Sequence, residues 1–549
     1  MILLQALLPA WPSPAITATS LSADLGLWLR RTGLRRIRPR LPGGWAAVPL
    51  LAAVLLFHVV VKAEQQASPI LLQAWQPGQF LRSTLLTGEA LGQTVLAGAF
   101  EDPNRKDLLV LQMQRDKSRD LRLYRQTDGL FADQPVVRRT LPDDVIFVDT
   151  GRLQGRDILV LFSPTEASSY DPLTGLRQLL LAFPNALYSA PADKTIPVFD
   201  AMRDLNADGL DDFIIAGFDG YRVAIQLPDG QFSPLQFMPA PAIMQMSYNN
   251  HPWYKSRKIY HTDINGDGQA DLGFWLGQAF MVYLQRDGRF AASGVPLASS
   301  VSFEAEGFEG ISMRMGGEDQ SNVVKKALFQ LRDLDGDQYA DLVTLEVKSE
   351  GVFKKQTTYD FYRGGAKDQA VSGFSATPDS SIRSTGIQFD LVEEDLDNDG
   401  QLDIIISSIE LGLTKIVRAL LTGSVRIDLG FYQMRQGNYP PEPNLVRSIK
   451  ATFSMSSGDV FFPSVLRADV SGDGRADLLV QEGDNTLLIY PGVAGDKLFA
   501  SDAIEVAVAM PAKPELVQVV DLNNDGKQDL LLRHEVQGKP FRIEILIAD

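Results

Sequence analysis

Three observations in this 549-residue sequence predict an all-β fold, a β-propeller of seven or eight four-stranded blades with eight favoured. A nine-residue acidic loop is written six times between Asp204 and Asp529. A short run of branched apolar residues follows most copies, and Asp-Gly turns between apolar runs recur among them. Self-similarity of this kind signals a repeat architecture, in which each unit is one small antiparallel sheet.

The loops read DLNADGLDD, DINGDGQAD, DLDGDQYAD, DLDNDGQLD, DVSGDGRAD and DLNNDGKQD. Oxygen-bearing side chains fall at positions 1, 3, 5 and 9. The candidate metal ligands are thus Asp204, Asn206, Asp208 and Asp212; Asp263, Asn265, Asp267 and Asp271; Asp333, Asp335, Asp337 and Asp341. The later copies supply Asp395, Asp397, Asp399 and Asp403; Asp469, Ser471, Asp473 and Asp477; Asp521, Asn523, Asp525 and Asp529. With a backbone carbonyl at position 7, such a set suits a hard cation, and calcium suits it better than zinc or copper. Up to six Ca²⁺ are expected.

An EF-hand loop begins the same way but needs a carboxylate at position 12 and flanking helices. Position 12 here is Ile215, Phe274, Thr344, Ile406, Val480 or Leu532, none of them acidic. Runs such as Phe213-Ile214-Ile215 and Ile404-Ile405-Ile406 after position 9 are too short for helices and read as buried strands. The loop therefore opens a strand. RQTDGLF (125–131), LPDGQF (227–232) and LQRDGRF (284–290) add hairpin turns, and YPGVAGDKLF (490–499) is a looser version. Two degenerate units precede the six. One keeps Asp149 and Asp157 at positions 1 and 9; the other keeps Asp107 before an apolar run. Eight units with six cation loops result.

Over about residues 90–549 these motifs resemble the FG-GAP/VCBS repeats, the family of integrin α-chain propellers and many bacterial surface proteins. The resemblance implies that a D-x-[DN]-x-D-G-x-x-D loop between the first two strands of a blade binds calcium. Gln338 in place of the turn glycine, Ser471 at position 3 and the two cage-less units depart from that pattern. The family spans adhesins, receptors and lyases, so fold alone names no activity.

Composition agrees with an acidic cation-binding protein: 68 Asp+Glu against 52 Lys+Arg give a net charge of −16. Six divalent ions would offset most of it. Such a chain makes a poor nucleic-acid partner, which needs a basic footprint. The absence of cysteine excludes disulfide, thiol and iron–sulfur chemistry. Residues 1–63 read as a signal or membrane anchor. Arginines at 30, 31, 35, 36, 38 and 40 precede an apolar run over 45–61 and a small-x-Ala pattern ending at Ala63. This layout predicts export to the periplasm, the cell surface or the medium, with membrane contact only through this segment if it stays uncleaved.

The domains expected are the leader at 1–63, a linker at 64–90 and the propeller at 91–549, with insertions near 300–328 and 411–461. The last unit is one strand short, and the stretch 70–86 is expected to supply it and close the ring, since an open sheet edge invites aggregation. In the insertion at 411–461, residues 413–421 read as a short amphipathic helix, either a partner-docking lobe or a neutral elaboration. The segment 248–261, YNNHPWYKSRKIYH, interleaves aromatic and basic residues. Trp253, Tyr254, Lys255, Arg257 and Tyr260 are the candidate ligand-binding residues, facing a protein or glycan if exposed and packing between blades if not.

No catalytic residue is assigned. The four histidines (His58, His251, His261, His534) form no motif with a nucleophile, phosphate loop or zinc site. A non-enzymatic calcium-binding interaction or adhesion module is the leading expectation. Two alternatives stay open: a calcium-dependent polysaccharide lyase with His251, Tyr254 or Lys258 as base, and a scaffold or assembly factor of a cell-envelope complex.

Overall fold

The computed structural model describes residues 80–548 apart from short internal stretches, the longest of which is 308–322. The leader at 1–63 and residues 64–79 lie outside the described residues. Among those described, no helix is long and apolar enough to cross a membrane.

Eight antiparallel sheets of four or five strands follow one another along the chain. Blade 1 is built from Gly92–Gly98, Asp107–Met113, Arg119–Tyr124 and Val137–Thr140, paired in that order. Blades 2 to 7 repeat the scheme, starting at Phe147, Met202, Tyr260, Val323, Ile387 and Val465. Blade 8 takes three strands from the end of the chain, Val517–Val520, Asp529–His534 and Phe541–Ala548. Its fourth strand is Phe80–Gly88, paired antiparallel from Phe80↔Ala548 to Gly88↔Phe541. The closing strand was expected from the stretch 70–86, and Phe80–Gly88 supplies it.

Strands directly after the cation loops are buried on both faces, as in Asp271–Trp275 and Asp403–Ile409. That burial explains why they read as continuous apolar runs. Each of eight apolar clusters joins two consecutive blades. Leu109 and Leu111 of blade 1 meet Leu159 and Leu161 of blade 2, and so on around to Ile543 and Ile545 of blade 8 against Leu108 and Val110 of blade 1. The remaining interfaces are built alike. The ring is therefore closed at eight blades, the favoured count.

Two expectations change. Of the insertion expected over 411–461, Ser424–Tyr432 and Leu445–Phe453 are the third and fourth strands of blade 6. The addition is mainly the ten-residue helix Leu413–Thr422. Nine-residue strands and an interposed helix stretched the period and disguised the blade. Asp149, aligned by sequence with loop position 1, lies inside the strand Phe147–Leu153. There it accepts hydrogen bonds from the N–H groups of Ala201 and Met202 at the entry to blade 3. The turn of blade 2 is Gln154-Gly155, so no loop remains to hold a cation. Near 300–328, Ala305–Glu306 runs parallel to Val323–Arg332, along the first-strand edge of blade 5.

Strand order assigns connections to rims. First-to-second and third-to-fourth connections share one rim, which carries all six acidic loops and the Asp-Gly turns. Second-to-third connections and the links between blades share the other.

Candidate cation loops and an exposed aromatic ribbon

All six loops adopt one hydrogen-bonded form. The position-1 aspartate accepts the N–H of position 6 through Oδ2, at 2.8 Å for Asp204 and Gly209 and 2.6 Å for Asp263 and Gly268. Asp333, Asp395, Asp469 and Asp521 do the same. The position-5 aspartate accepts the N–H of position 7 in every copy. Position 6 is left-handed throughout, and Gln338 holds φ +75° where the others have glycine.

Position 4 is left-handed as well, at Ala207, Gly266, Gly336, Asn398, Gly472 and Asn524. Sequence reasoning passed over this second site, although five of the six residues are the Gly or Asn such geometry favours. Position 4 also faces the next blade. A Cβ on Gly266 would fall 2.2 Å from the Tyr339 ring, and one on Gly336 would fall 2.8 Å from the Gly400 carbonyl oxygen. Asn398 donates to the Gly474 carbonyl, so loops of neighbouring blades touch along the rim.

Position 9 fastens the blade. Asp212, Asp271, Asp341, Asp403, Asp477 and Asp529 are at most 3% exposed. In each, one oxygen accepts the N–H of loop position 2 and the other an N–H at or just beyond the end of the third strand. For Asp403 these are Leu396 at 3.2 Å and Met434 at 2.9 Å. For Asp529 they are Leu522 at 2.7 Å and Ala548 at 2.8 Å. Burial lifts Asp212, Asp341, Asp403 and Asp529 to about 7 and Asp271 to about 6, against the lowering effect of those N–H groups. Blade 1 keeps this fastener without the cage, since Asp107 accepts the Gln126 N–H at 3.0 Å.

The residues present fit a hard cation. Carboxylate oxygens of Asp333, Asp335 and Asp341, and of Asp395, Asp397 and Asp403, lie within 4.8 Å of one another. Asp397 Oδ1 and Asp521 Oδ1 are buried without any hydrogen-bond donor. Every side-chain donor is an oxygen, which excludes a preference for soft metals. A Ca²⁺ held at positions 1, 3, 5 and 9 would supply charge neutralisation and stiffness.

Arginines approach both four-carboxylate loops. Arg363 Nη2 lies 2.5 Å from Asp335 Oδ2. Arg435 Nη1 lies 2.8 Å from Asp397 and 3.0 Å from Asp399. The hydrogen bond from Arg435 to Asp397 is the largest cause raising its guanidinium above the ordinary value.

The segment 248–261 divides by location. Residues 248–251, including His251, lie outside the described residues. Ile243–Met246 and Pro252–Lys255 pair as a two-stranded ribbon between blades 3 and 4, on the rim opposite the cation loops. Its register places Met244, Met246, Pro252 and Tyr254 on one face and Gln245, Trp253 and Lys255 on the other. Met244, Met246, Trp253 and Tyr254 are all exposed. Phe218, from the second-to-third connection of blade 3, meets Tyr254 edge-on at 5.3 Å.

Arg257 fastens the ribbon, donating to the carbonyls of Pro241 at 2.8 Å and Trp275 at 2.6 Å. Tyr260 corrects the expectation of a ligand contact. It is 1% exposed in the core between blades 4 and 5, and its hydroxyl donates to Glu306 at 2.8 Å. It begins the blade's first strand, where alternation turns it inward.

Of the three alternative candidate bases, His251 lies outside the described residues, Tyr254 stands on the exposed ribbon and Lys258 is engaged with blade 5. Lys258 Nζ donates to the Phe329 carbonyl and to Gln330 Oε1. His261 Nε2 sits 2.9 Å from the Leu205 carbonyl oxygen. His534, in blade 8, is held down to about 4 by burial.

Near the ribbon base lies a cavity of about 120 Å³ lined by Phe147, Tyr188, Phe199, Tyr221, Ser256 and Ile259, among others. Tyr188 stacks on Phe199 at 4.5 Å. The sequence signal for it was faint: two aromatics in the link between blades 2 and 3.

The FG-GAP-like repeat model matches residues 204–273 and 469–532, which hold four of the six loops. No curated protein matches the chain by sequence. Among solved structures, an Agrocybe aegerita lectin that recognises non-reducing terminal N-acetylglucosamine is similar at 15% identity and a TM-score of 0.35, over 66% of this chain and 80% of that one. The V. cholerae biofilm matrix protein Bap1 is similar at 13% identity and a TM-score of 0.32, covering 87% and 90%. A Bacillus licheniformis rhamnogalacturonan lyase gives 15% identity and a TM-score of 0.25, covering 60% and 58%. Likeness at this level carries no functional argument.

Proposed function

We propose that this chain, whose FG-GAP-like repeats and eight-bladed ring are consistent with the FG-GAP/VCBS-repeat propeller family, is an exported calcium-binding interaction module without catalytic activity. Its partner is a protein or a glycan. Calcium stiffens one rim, and the ribbon of the other rim makes the contact.

One observation carries the reading. The ribbon holds Met244, Met246, Trp253 and Tyr254 out in solvent on a base pinned by Arg257. Single exposed apolar residues are ordinary, but Met244, Met246 and Tyr254 share one face of a fastened ribbon and Trp253 stands on the other, a concentration that marks a binding element. Trp and Tyr suit it because they offer large contact area at little entropic cost. The basic, apolar, small-residue order of the N-terminus supports export.

The test is the variant Trp253→Ala/Tyr254→Ala, probed against a glycan panel and against envelope extracts beside the wild type. Melting should be unchanged, because exposed side chains away from special features move stability by about 0.5 kcal/mol or less. Partner capture should be lost. Undiminished capture by the folded variant would remove the ribbon from the reading. Unsaturated-sugar product from the wild type on acidic polysaccharides would replace the module with a lyase.

A further inference from the structure

The six cation loops fall into two electrostatic kinds. Four carry Asn or Ser at position 3 (Asn206, Asn265, Ser471, Asn523) and so have three ligand carboxylates. Two carry Asp335 or Asp397 there and have four. These two are the loops that an arginine enters from the end of their own blade's third strand: Arg363 comes just after Lys355–Tyr362, and Arg435 just beyond Ser424–Tyr432. Among the described residues, no basic side chain from the third strand or beyond pairs with a ligand carboxylate in the other four. There, the approach of Arg475 to Asp473, at 3.7 Å, comes from within the loop itself. With the two arginines counted, the Asp333 and Asp395 loops come down to three uncompensated ligand carboxylates, the number in the Asp204, Asp263 and Asp521 loops.

The surroundings are shaped around these pairs. Asp335 is 3% exposed and Asp397 11%, so water screens neither well. Gly437, at φ +73° in blade 6, leaves space for the first pair: a Cβ there would fall 2.6 Å from Arg363 Cζ and 2.7 Å from Asp335 Oδ2. Gln433 Nε2 adds a hydrogen bond of 3.0 Å to Asp397 Oδ2. Blade 1, which lacks a cage, also draws an arginine into its acidic connection, where Arg105 lies within 3.7 Å of Glu101, Asp102 and Asp107.

We propose that Arg363 and Arg435 are tethered counter-cations for the fourth carboxylate, letting the Asp333 and Asp395 loops fold without calcium and making them bind it more weakly than the other four loops. The proposal rests on the calcium reading above. Physically, the guanidinium and the metal compete for the same two carboxylates, with Arg363 on Oδ2 of Asp335 and Arg435 on Oδ2 of Asp397. An arginine cannot shed its charge to yield, so it must move aside.

The test compares wild type, Arg435→Gln, Asp397→Asn and the double variant Asp397→Asn/Arg435→Gln by melting in chelator and by calorimetric calcium titration. Wild type should resolve a tighter and a weaker class of sites. Arg435→Gln should melt lower in chelator and bind calcium several-fold more tightly at one site of the weaker class. The double variant reproduces the Asp-x-Asn loop already present at Asp204, Asp263 and Asp521, and should recover the chelator melting temperature. Arg435→Gln with unchanged melting and unchanged or weaker calcium affinity would overturn the proposal. If wild type took up no calcium, the cation reading itself would fail. The counter-charge would then still be decided by the chelator melts, with rescue by Asp397→Asn for it and no effect of Arg435→Gln against it.

Discussion

The two rims obey opposite rules. On the rim of the acidic loops, six loops repeat the same bonds from positions 1, 5 and 9, and adjacent loops touch through position 4. On the other rim no two described additions are alike: a ribbon leaves blade 3, a helix leaves blade 6, and Ala305–Glu306 lies along blade 5. A rim whose aspartates are turned onto the N–H groups of their own loops has little left with which to recognise a partner. A rim with exposed Met, Trp and Tyr on fastened supports has much. Repetition here builds the scaffold, and departure from it supplies the exposed side chains on which the proposed contact rests.

The largest expected break in that contrast is Asp403→Ala. It leaves the N–H groups of Leu396 and Met434 buried and unpaired, at about 1–3 kcal/mol each. A loss of about 2–6 kcal/mol in denaturant unfolding, measured in chelator so that metal plays no part, would establish position 9 as a fastener in its own right. A loss below about 1 kcal/mol would leave it a ligand only.

Next come two glycines of one loop. Gly266→Ala meets both a left-handed φ of +73° and the Tyr339 ring, whereas Gly268→Ala meets only φ +81° and open space. The second should cost about 1 kcal/mol and the first clearly more, by thermal or chemical melts. Equal costs would mean that neighbouring loops do not bear on one another.

The smallest effect is on pH. Burial raises five of the position-9 aspartates to about 6–7 and lifts Asp477 as well. Without calcium, the folded chain therefore holds more protons than the unfolded one between about pH 4 and 7. The stability these groups contribute is present below about 4 and is lost as pH rises through about 7. His534, held down to about 4, acts the other way, losing its contribution as pH falls from about 6.5 towards 4. Six groups outweigh His534 and His261, which burial also lowers, so calcium-free protein should melt higher at pH 5.5 than at pH 8. Calcium requires the ionised carboxylates, so its affinity should fall over the same step down in pH. Melting and titration at the two pH values check both signs.

Most of the fold was legible in the nonapeptide and in the short apolar run beside it. Position 12 excluded helices, the apolar runs marked second strands, and the early end of the last unit called for a closing strand from the stretch 70–86, which the structure places at Phe80–Gly88. Gln338 was legible as a left-handed exception. The position-4 turn was legible in principle, through Gly and Asn, and was passed over. Asp149 was misaligned because a hairpin of the same length carries its aspartate within the strand.

The sequence by itself determined what lies within a few residues of a loop: its turns, its donor set and the strand it opens. Turn chemistry is local, and nine residues contain it. Only the tertiary structure decided that Tyr260 packs inward while Tyr254 faces solvent six residues earlier. It alone brought Arg435 to Asp397 and placed ribbon and cation loops on opposite rims. Those relations join groups far apart in the chain, and they exist only once paired strands and a closed ring have set which residues meet.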